Sequence, residues 1–167
     1  VKLTLLKHDE AREVSVTRQN IPAPAVESGM DGDVGILKIS HFNDETVPAA
    51  RRAATEFVNK GVTKVIVDVR DNPGGTVESA RGLLGLWLKD QVALTERRGS
   101  EIIRTLKTTG TPVLEQMQTV VLINGGSASA SEIVAGALRE HGKAKLVGLK
   151  SYGKGSMQSM IQLSGGS

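Results

Sequence analysis

Thr119-Val120-Val121-Leu122-Ile123, then Asn124-Gly125-Gly126-Ser127-Ala128-Ser129, then Ile133, Val134, Ala137 and Leu138 form the stretch that decides the fold. The β-branched run reads as a strand and the small polar residues as a tight turn. The i, i+4 spacing that follows reads as an amphipathic helix stopping near His141-Gly142. The same order occurs twice upstream. Val34 to Ile39 reads as a buried strand, and Thr46 to Lys60 as a helix with Val47, Ala50, Ala54, Phe57 and Val58 on one face and Gly61 as its stop. Lys64 to Val69 reads as a strand buried on both faces. Asn72-Pro73-Gly74-Gly75 and a second helix through Val77, Ala80, Leu84, Trp87 and Leu88 come next. Lys145 to Gly148 and Met157 to Leu163 are further strand candidates, and Val92 to Glu96 with Ile102 to Lys107 form an excursion of short strands. Strands alternating with helices imply an α/β fold with mostly parallel pairing.

Upstream of this core, Lys2 to His8 and Glu13 to Arg18 alternate around Asp9-Glu10-Ala11-Arg12 and read as a β-hairpin. Ile21 to Asp33, with Pro22, Pro24, Gly29 and Gly32, has the turn chemistry of a linker. The expected organisation is therefore a hairpin module over 1–20, a linker over 21–33 and a core over 34–167. The chain has 167 residues and begins at Val1 rather than Met, which suggests a piece of something longer.

Composition narrows the function classes. A net charge of +3 is dispersed without a basic run, and the four aromatic residues Phe42, Phe57, Trp87 and Tyr152 do not alternate with basic ones, so nucleic-acid binding is disfavoured. With no cysteine there is no disulfide, thiolate metal site or cysteine nucleophile. His8, His41 and His141 are far apart and lack the spacing of zinc ligands, so no metal or cofactor is expected. No apolar run approaches the roughly 20 residues of a membrane span.

A serine where a strand meets a helix sits at the carboxyl end of a sheet, where open α/β folds bind ligands. The helix start offers unpaired N–H groups and partial positive charge to a developing oxyanion. Ser129 has this setting, with the Ala130 amide as a donor; equally, Ser127, Ser129 and Ser131 suit helix caps. A hydroxyl nucleophile needs a base, and Lys154, between Gly153 and Gly155, is the candidate. Walled by Tyr152 and Met157 it would lose water and charge; the alternative is a solvated loop lysine. Gln158 would share the lysine's face if the following strand began early. Gly74 and Gly75, at the end of another strand, are placed to supply a second oxyanion amide, or simply to make the turn.

Asn124 to Ile133, with Ala135-Gly136-Ala137-Leu138, Tyr152 to Gln158, and Asp68 to Gly75, closely resembles three motifs of the carboxyl-terminal processing, or tail-specific, proteases, in the same chain order. The resemblance runs from about Val34 to Leu163. It implies a Ser/Lys peptidase on a crotonase-like or ClpP-like core, acting on unstructured C-terminal tails of proteins outside the bacterial cytoplasm. It places the nucleophile at Ser129, the lysine at Lys154 and an assisting glutamine at Gln158. The oxyanion amides fall on Ala130 and on Gly74 or Gly75, with a secondary acidic residue at Glu140. The first hairpin resembles the last strands of the PDZ domain that precedes this core, and the family continues past the last residue here. An expectation of weak activity for this segment follows.

Two other readings remain. One is a non-catalytic peptide-binding or scaffold core of the same fold. The other is an acyl-thioester enzyme, for which no adenine or pantetheine site is evident. A homo-oligomer is compatible with the sequence.

Overall fold

The computed structural model describes residues 1–7, 10–17 and 24–156. Strands β1 (Lys2–Lys7) and β2 (Glu10–Ser15) pair only with each other, antiparallel, and Leu3, Leu5 and Leu6 are exposed. The core follows as β3 (Val26–Asp31), β4 (Val34–Ile39), α1 (Thr46–Asn59), β5 (Lys64–Asp68), α2 (Val77–Leu84), β6 (Val92–Arg98), β7 (Glu101–Lys107), β8 (Gln118–Ile123), α3 (Ala130–Glu140) and β9 (Ala144–Gly148). The main sheet has the order β3-β4-β5-β8-β9 and is parallel from β4 onward; β6 and β7 form a separate antiparallel hairpin.

The interval 21–33 is not wholly a linker. Val26–Asp31 is an edge strand that turns back on β4 through Gly32 and Asp33, with Gly32 at φ 57°. Its sequence, VESGMD, lacks a strand signature because an edge strand in water has little to bury; only Val26 is even half-buried.

Burial alternates along the central strands. Leu37 and Ile39, Val65 and Val67, and Val121 are buried, whereas Ile36, Ile66 and Val120 are only half-buried. The buried face is the one against the helices: a Cβ on Gly35 would run into the Phe57 ring of α1. β5 is therefore covered on one face, not both, among the described residues. Helix α2 stops at Gly85, earlier than its apolar spacing suggests, and only glycine fits there, because a side chain would collide with the Thr109 carbonyl. Leu86, Trp87 and Leu88 still reach the core as a turn, and Trp87 Nε1–H donates to Thr119 Oγ1 at 2.9 Å. Val58 lies exposed on α1, where Ala53 is buried. Each large aliphatic side chain buried here contributes about 1.5–3 kcal/mol. The expected strand Met157 to Leu163 and Gln158 lie outside the described residues. Among the described residues no helix is long and apolar enough to cross a membrane.

Candidate active site

Parallel pairing of β4, β5, β8 and β9 brings the carboxyl ends of these strands to one edge of the sheet, and three turns meet there. The β5–α2 turn is organised by Asn72, which is fully buried. Its Nδ2–H donates to Ile39 O (2.8 Å), its Oδ1 accepts the Gly74 amide (2.8 Å), and its carbonyl accepts Ala128 N–H (3.0 Å) and Ser131 Oγ–H (2.9 Å). Phe42, beyond β4, bridges Gly75. Asn124 pins the β8–α3 turn to the first one: its Oδ1 accepts the Asp71 amide (2.9 Å) and its Nδ2–H donates to Asp71 Oδ1 (2.9 Å). Glycine is required at the junction. With φ of 103°, Gly74 packs so closely that a Cβ would stand 2.8 Å from both Ala128 O and Ser129 Cβ.

The three serines of the turn separate by partner. Ser127 Oγ–H donates to Val69 O at 2.7 Å and accepts from Asn124 N–H at 3.0 Å, and Ser131 is held by Asn72, so both are structural. Ser129 is half-buried, and its backbone has φ 54° and ψ −114°, a conformation that costs a non-glycine residue about 1–3 kcal/mol. It forms a capping box with Glu132: the Ser129 N–H donates to Glu132 Oε2 at 2.9 Å and the Ser129 hydroxyl oxygen faces the Glu132 N–H, while the hydroxyl proton is committed to no acceptor among the described residues. Of the three hydroxyls, this is the one that donates to no acceptor among the described residues.

Glu132 falls inside the serine motif, yet nothing in the sequence alone assigned it a role. Oε1 accepts Ser151 Oγ–H (2.8 Å) and Gly153 N–H (2.7 Å), and Oε2 accepts Lys154 N–H (2.8 Å) as well as Ser129 N–H. One carboxylate thus joins the serine turn to the lysine loop. Burial pushes its pKa upward, but the Ser151 hydroxyl and the Gly153, Lys154 and Ser129 amides outweigh this and hold it below its usual value. The signal available in the sequence was Ser129-x-x-Glu132 at the head of an apolar helix.

Lys154 lines the same cavity as Ser129, of about 710 Å³, but no hydrogen bond joins its Nζ to Ser129 Oγ. The dehydrated amine expected from the sequence is not present: Lys154 is exposed, and Tyr152, one of its expected walls, is 70% exposed. Apart from the Ser151 hydroxyl the loop is fastened through backbone groups, Tyr152 N–H to Ser127 O (3.0 Å) and the Gly153 and Lys154 amides to Glu132, which leaves the Tyr152 and Lys154 side chains in water. Met157, the other expected wall, is outside the described residues.

Of the two candidate glycines for the oxyanion site, Gly74 donates its amide to Asn72, whereas the amides of Gly75 and Ala130 have no hydrogen-bond acceptor among the described residues. Glu140 lies at the far end of α3, exposed and paired with Arg139, and lines a separate groove with Val92 and His141. Among the described residues no cluster of three His, Asp or Glu side chains is placed to hold a metal.

Fold and site together define a mixed α/β protein with a mostly parallel sheet, whose carboxyl edge carries a strained serine beside a lysine loop. The profile of peptidase family S41 matches residues 33–167, and the chain belongs to that family. Among its relatives is a probable CtpA-like serine protease of Staphylococcus haemolyticus, 33% identical across 100% of the chain and 34% of the relative. The corresponding protein of Staphylococcus aureus (strain COL) is 32% identical over the same shares. The chain thus spans about a third of the length of these relatives. Among solved structures, the photosystem II D1 C-terminal processing protease superposes with a TM-score of 0.83 at 25% identity, over 99% of this chain and 47% of that one. An S41 protease of Bacteroides fragilis shares the fold, with a TM-score of 0.68 at 19% identity over 99% of this chain and 50% of that one. The family resemblance read from the three motifs is borne out.

Proposed function

We propose that this chain is the catalytic core of a serine endopeptidase that cleaves near the C-terminal ends of protein substrates. Ser129 Oγ attacks the scissile carbonyl and its proton passes to Lys154 Nζ. The Gly75 and Ala130 amides stabilise the oxyanion. Collapse of the tetrahedral intermediate breaks the C–N bond as Lys154 returns the proton to the leaving amine, leaving an acyl ester on Ser129. Water, deprotonated by Lys154, then releases the shortened protein. A base role requires an uncharged amine, and a peptide covering the exposed lysine favours that form by excluding water. Gln158 is proposed to orient the lysine. An extracytoplasmic bacterial setting and unstructured tail substrates follow from the family resemblance, as does a PDZ origin for the β1–β2 hairpin.

The observation that carries this reading is the sorting of the serines: Ser127 and Ser131 commit their hydroxyl protons to the turn, while Ser129, strained and with a hydroxyl that donates to no acceptor among the described residues, lines one cavity with Lys154. The exposure of Lys154 favours a second reading, a peptide-binding core without turnover. Cleavage of a tail peptide by the full-length protein, with Ser129→Ala and Lys154→Met, separates them. Loss of turnover in both variants with peptide binding retained supports the peptidase; binding without turnover in the unsubstituted protein supports the scaffold.

A further inference from the structure

The cavity beside Ser129 has an aliphatic floor and a cationic rim, and the β6–β7 hairpin supplies the rim. Val77 at the start of α2, Ile133 in the first turn of α3, and Leu94 and Ile103 of the hairpin form the apolar part. An undisturbed strand would turn alternate residues away from the cavity. Instead the pairing register shifts between Glu96 and Arg97, and the consecutive residues Leu94 to Arg98 all line it. Bulges re-aim side chains in this way next to functional sites.

The charges around the cavity do not cancel. Glu96 is bound by Arg104 through two hydrogen bonds, and Glu78, on α2, by Arg81 at 2.8 Å. Arg97 and Arg98 are exposed and form no ion pair among the described residues. Glu101 stands opposite Arg98 in the strand register, yet makes no ion pair with it. Two arginines without an ion-pair partner among the described residues therefore border a volume of about 710 Å³ that is also lined by Ser129. Arginine presents a planar fork of donors matched to carboxylates.

We infer that Arg97 and Arg98 are specificity-determining residues that bind a substrate carboxylate, either an acidic side chain or the chain terminus, while an aliphatic side chain next to it occupies the floor formed by Val77, Leu94, Ile103 and Ile133. The inference rests on the peptidase reading for its kinetic form, and on the cavity alone for its binding form.

The test uses the full-length protein and four versions of one aliphatic peptide: Asp or Asn near the cleaved bond, each with a free or an amidated C-terminus. Cleavage is followed with the active protein, and binding by anisotropy of the labelled peptides to Ser129→Ala. Exposed charge pairs of this kind change affinity by about 2- to 5-fold each, so the preferred acidic peptide is expected to lead by about 5- to 10-fold at low salt. The preference falls in 1 M salt, where the screening length is about 3 Å. In Arg97→Gln/Arg98→Gln the ratio of acidic to neutral peptide falls to about one, in KM rather than kcat. A preference that follows Asp assigns the side chain; one lost on amidation assigns the terminus. A ratio near one in the unsubstituted protein, or a ratio unchanged in the double variant, overturns the inference in either assay. Absent cleavage with the expected binding ratios would overturn the peptidase reading alone.

Discussion

Replacing Glu132 by Gln removes a charge while keeping the side chain's shape, and the consequence can be worked out bond by bond. The carboxylate accepts four hydrogen bonds, three of them from backbone N–H groups that cannot reverse direction. Placing the amide NH₂ at Oε2 would set it against both Ser129 and Lys154 N–H. Placing it at Oε1 opposes only Gly153 N–H, because the Ser151 hydroxyl can rotate and accept. In either orientation of the amide, at least one bond to a charged acceptor is lost and the rest weaken. Such a bond contributes about 1.5–3 kcal/mol, which corresponds to about 10- to 150-fold in rate if the lost energy held the lysine loop in its reactive place. Glu132→Gln is expected to lower kcat/KM on a tail peptide by about that factor, with a fall in melting temperature of about 3–12 °C at most if the same energy is lost from the global transition. Hydrogen exchange should quicken at Gly153 and Lys154 while β5 and β8 amides keep their protection. Acid should reproduce the effect: because the carboxylate's pKa is depressed in the fold, its tethering is complete above the unfolded-state pKa and is lost as pH falls through the lower, folded value. Unchanged activity together with unchanged exchange at Gly153 and Lys154 in Glu132→Gln would refute this reasoning.

Gly74→Ala places a methyl against Ala128 O and Ser129 Cβ at a φ of 103°, and should abolish peptide cleavage while lowering the unfolding midpoint. Asn72→Ala strips a buried turn of bonds to Ile39 O and from Gly74 N–H; denaturant unfolding should show a loss of about 2–4 kcal/mol. Trp87→Phe loses the bond to Thr119 Oγ1, about 1 kcal/mol, which calorimetry should register as a fall of about 2–4 °C. The Arg70 hydrogen bond lowers the Asp68 pKa against the opposing effect of burial, so Asp68→Asn should flatten the acid limb of a stability–pH profile: the native contribution exists above the unfolded pKa and disappears as pH falls through the folded one.

The central strands and their helices are legible because β-branched runs, small-residue turns and 3.6-residue spacing all agree at each βα unit. Strand β3 is not, since its partner covers only one edge and its side chains face water. The end of α2 is hidden for another reason: Trp87 and Leu88 keep a helical spacing although the helix has ended at Gly85, where the Thr109 carbonyl leaves room only for glycine. At the site, the sequence names Ser129 and Lys154 but not the state of the lysine, because exposure depends on how a glycine-flanked loop is fastened. That fastening comes from Glu132, which in one dimension looks like an ordinary helix cap. That Asn72 takes the Gly74 amide, while the Gly75 amide has no acceptor among the described residues, likewise shows only in three dimensions.

Mapping the covalent adduct formed when the full-length protein is quenched during turnover of a tail-peptide ester tests the Ser129–Lys154 pairing most directly. Mass spectrometry should locate the acyl group on Ser129, and Lys154→Met should form it far more slowly under the same conditions. Turnover without an adduct on Ser129, or an adduct forming at the same rate in Lys154→Met, would contradict the pairing.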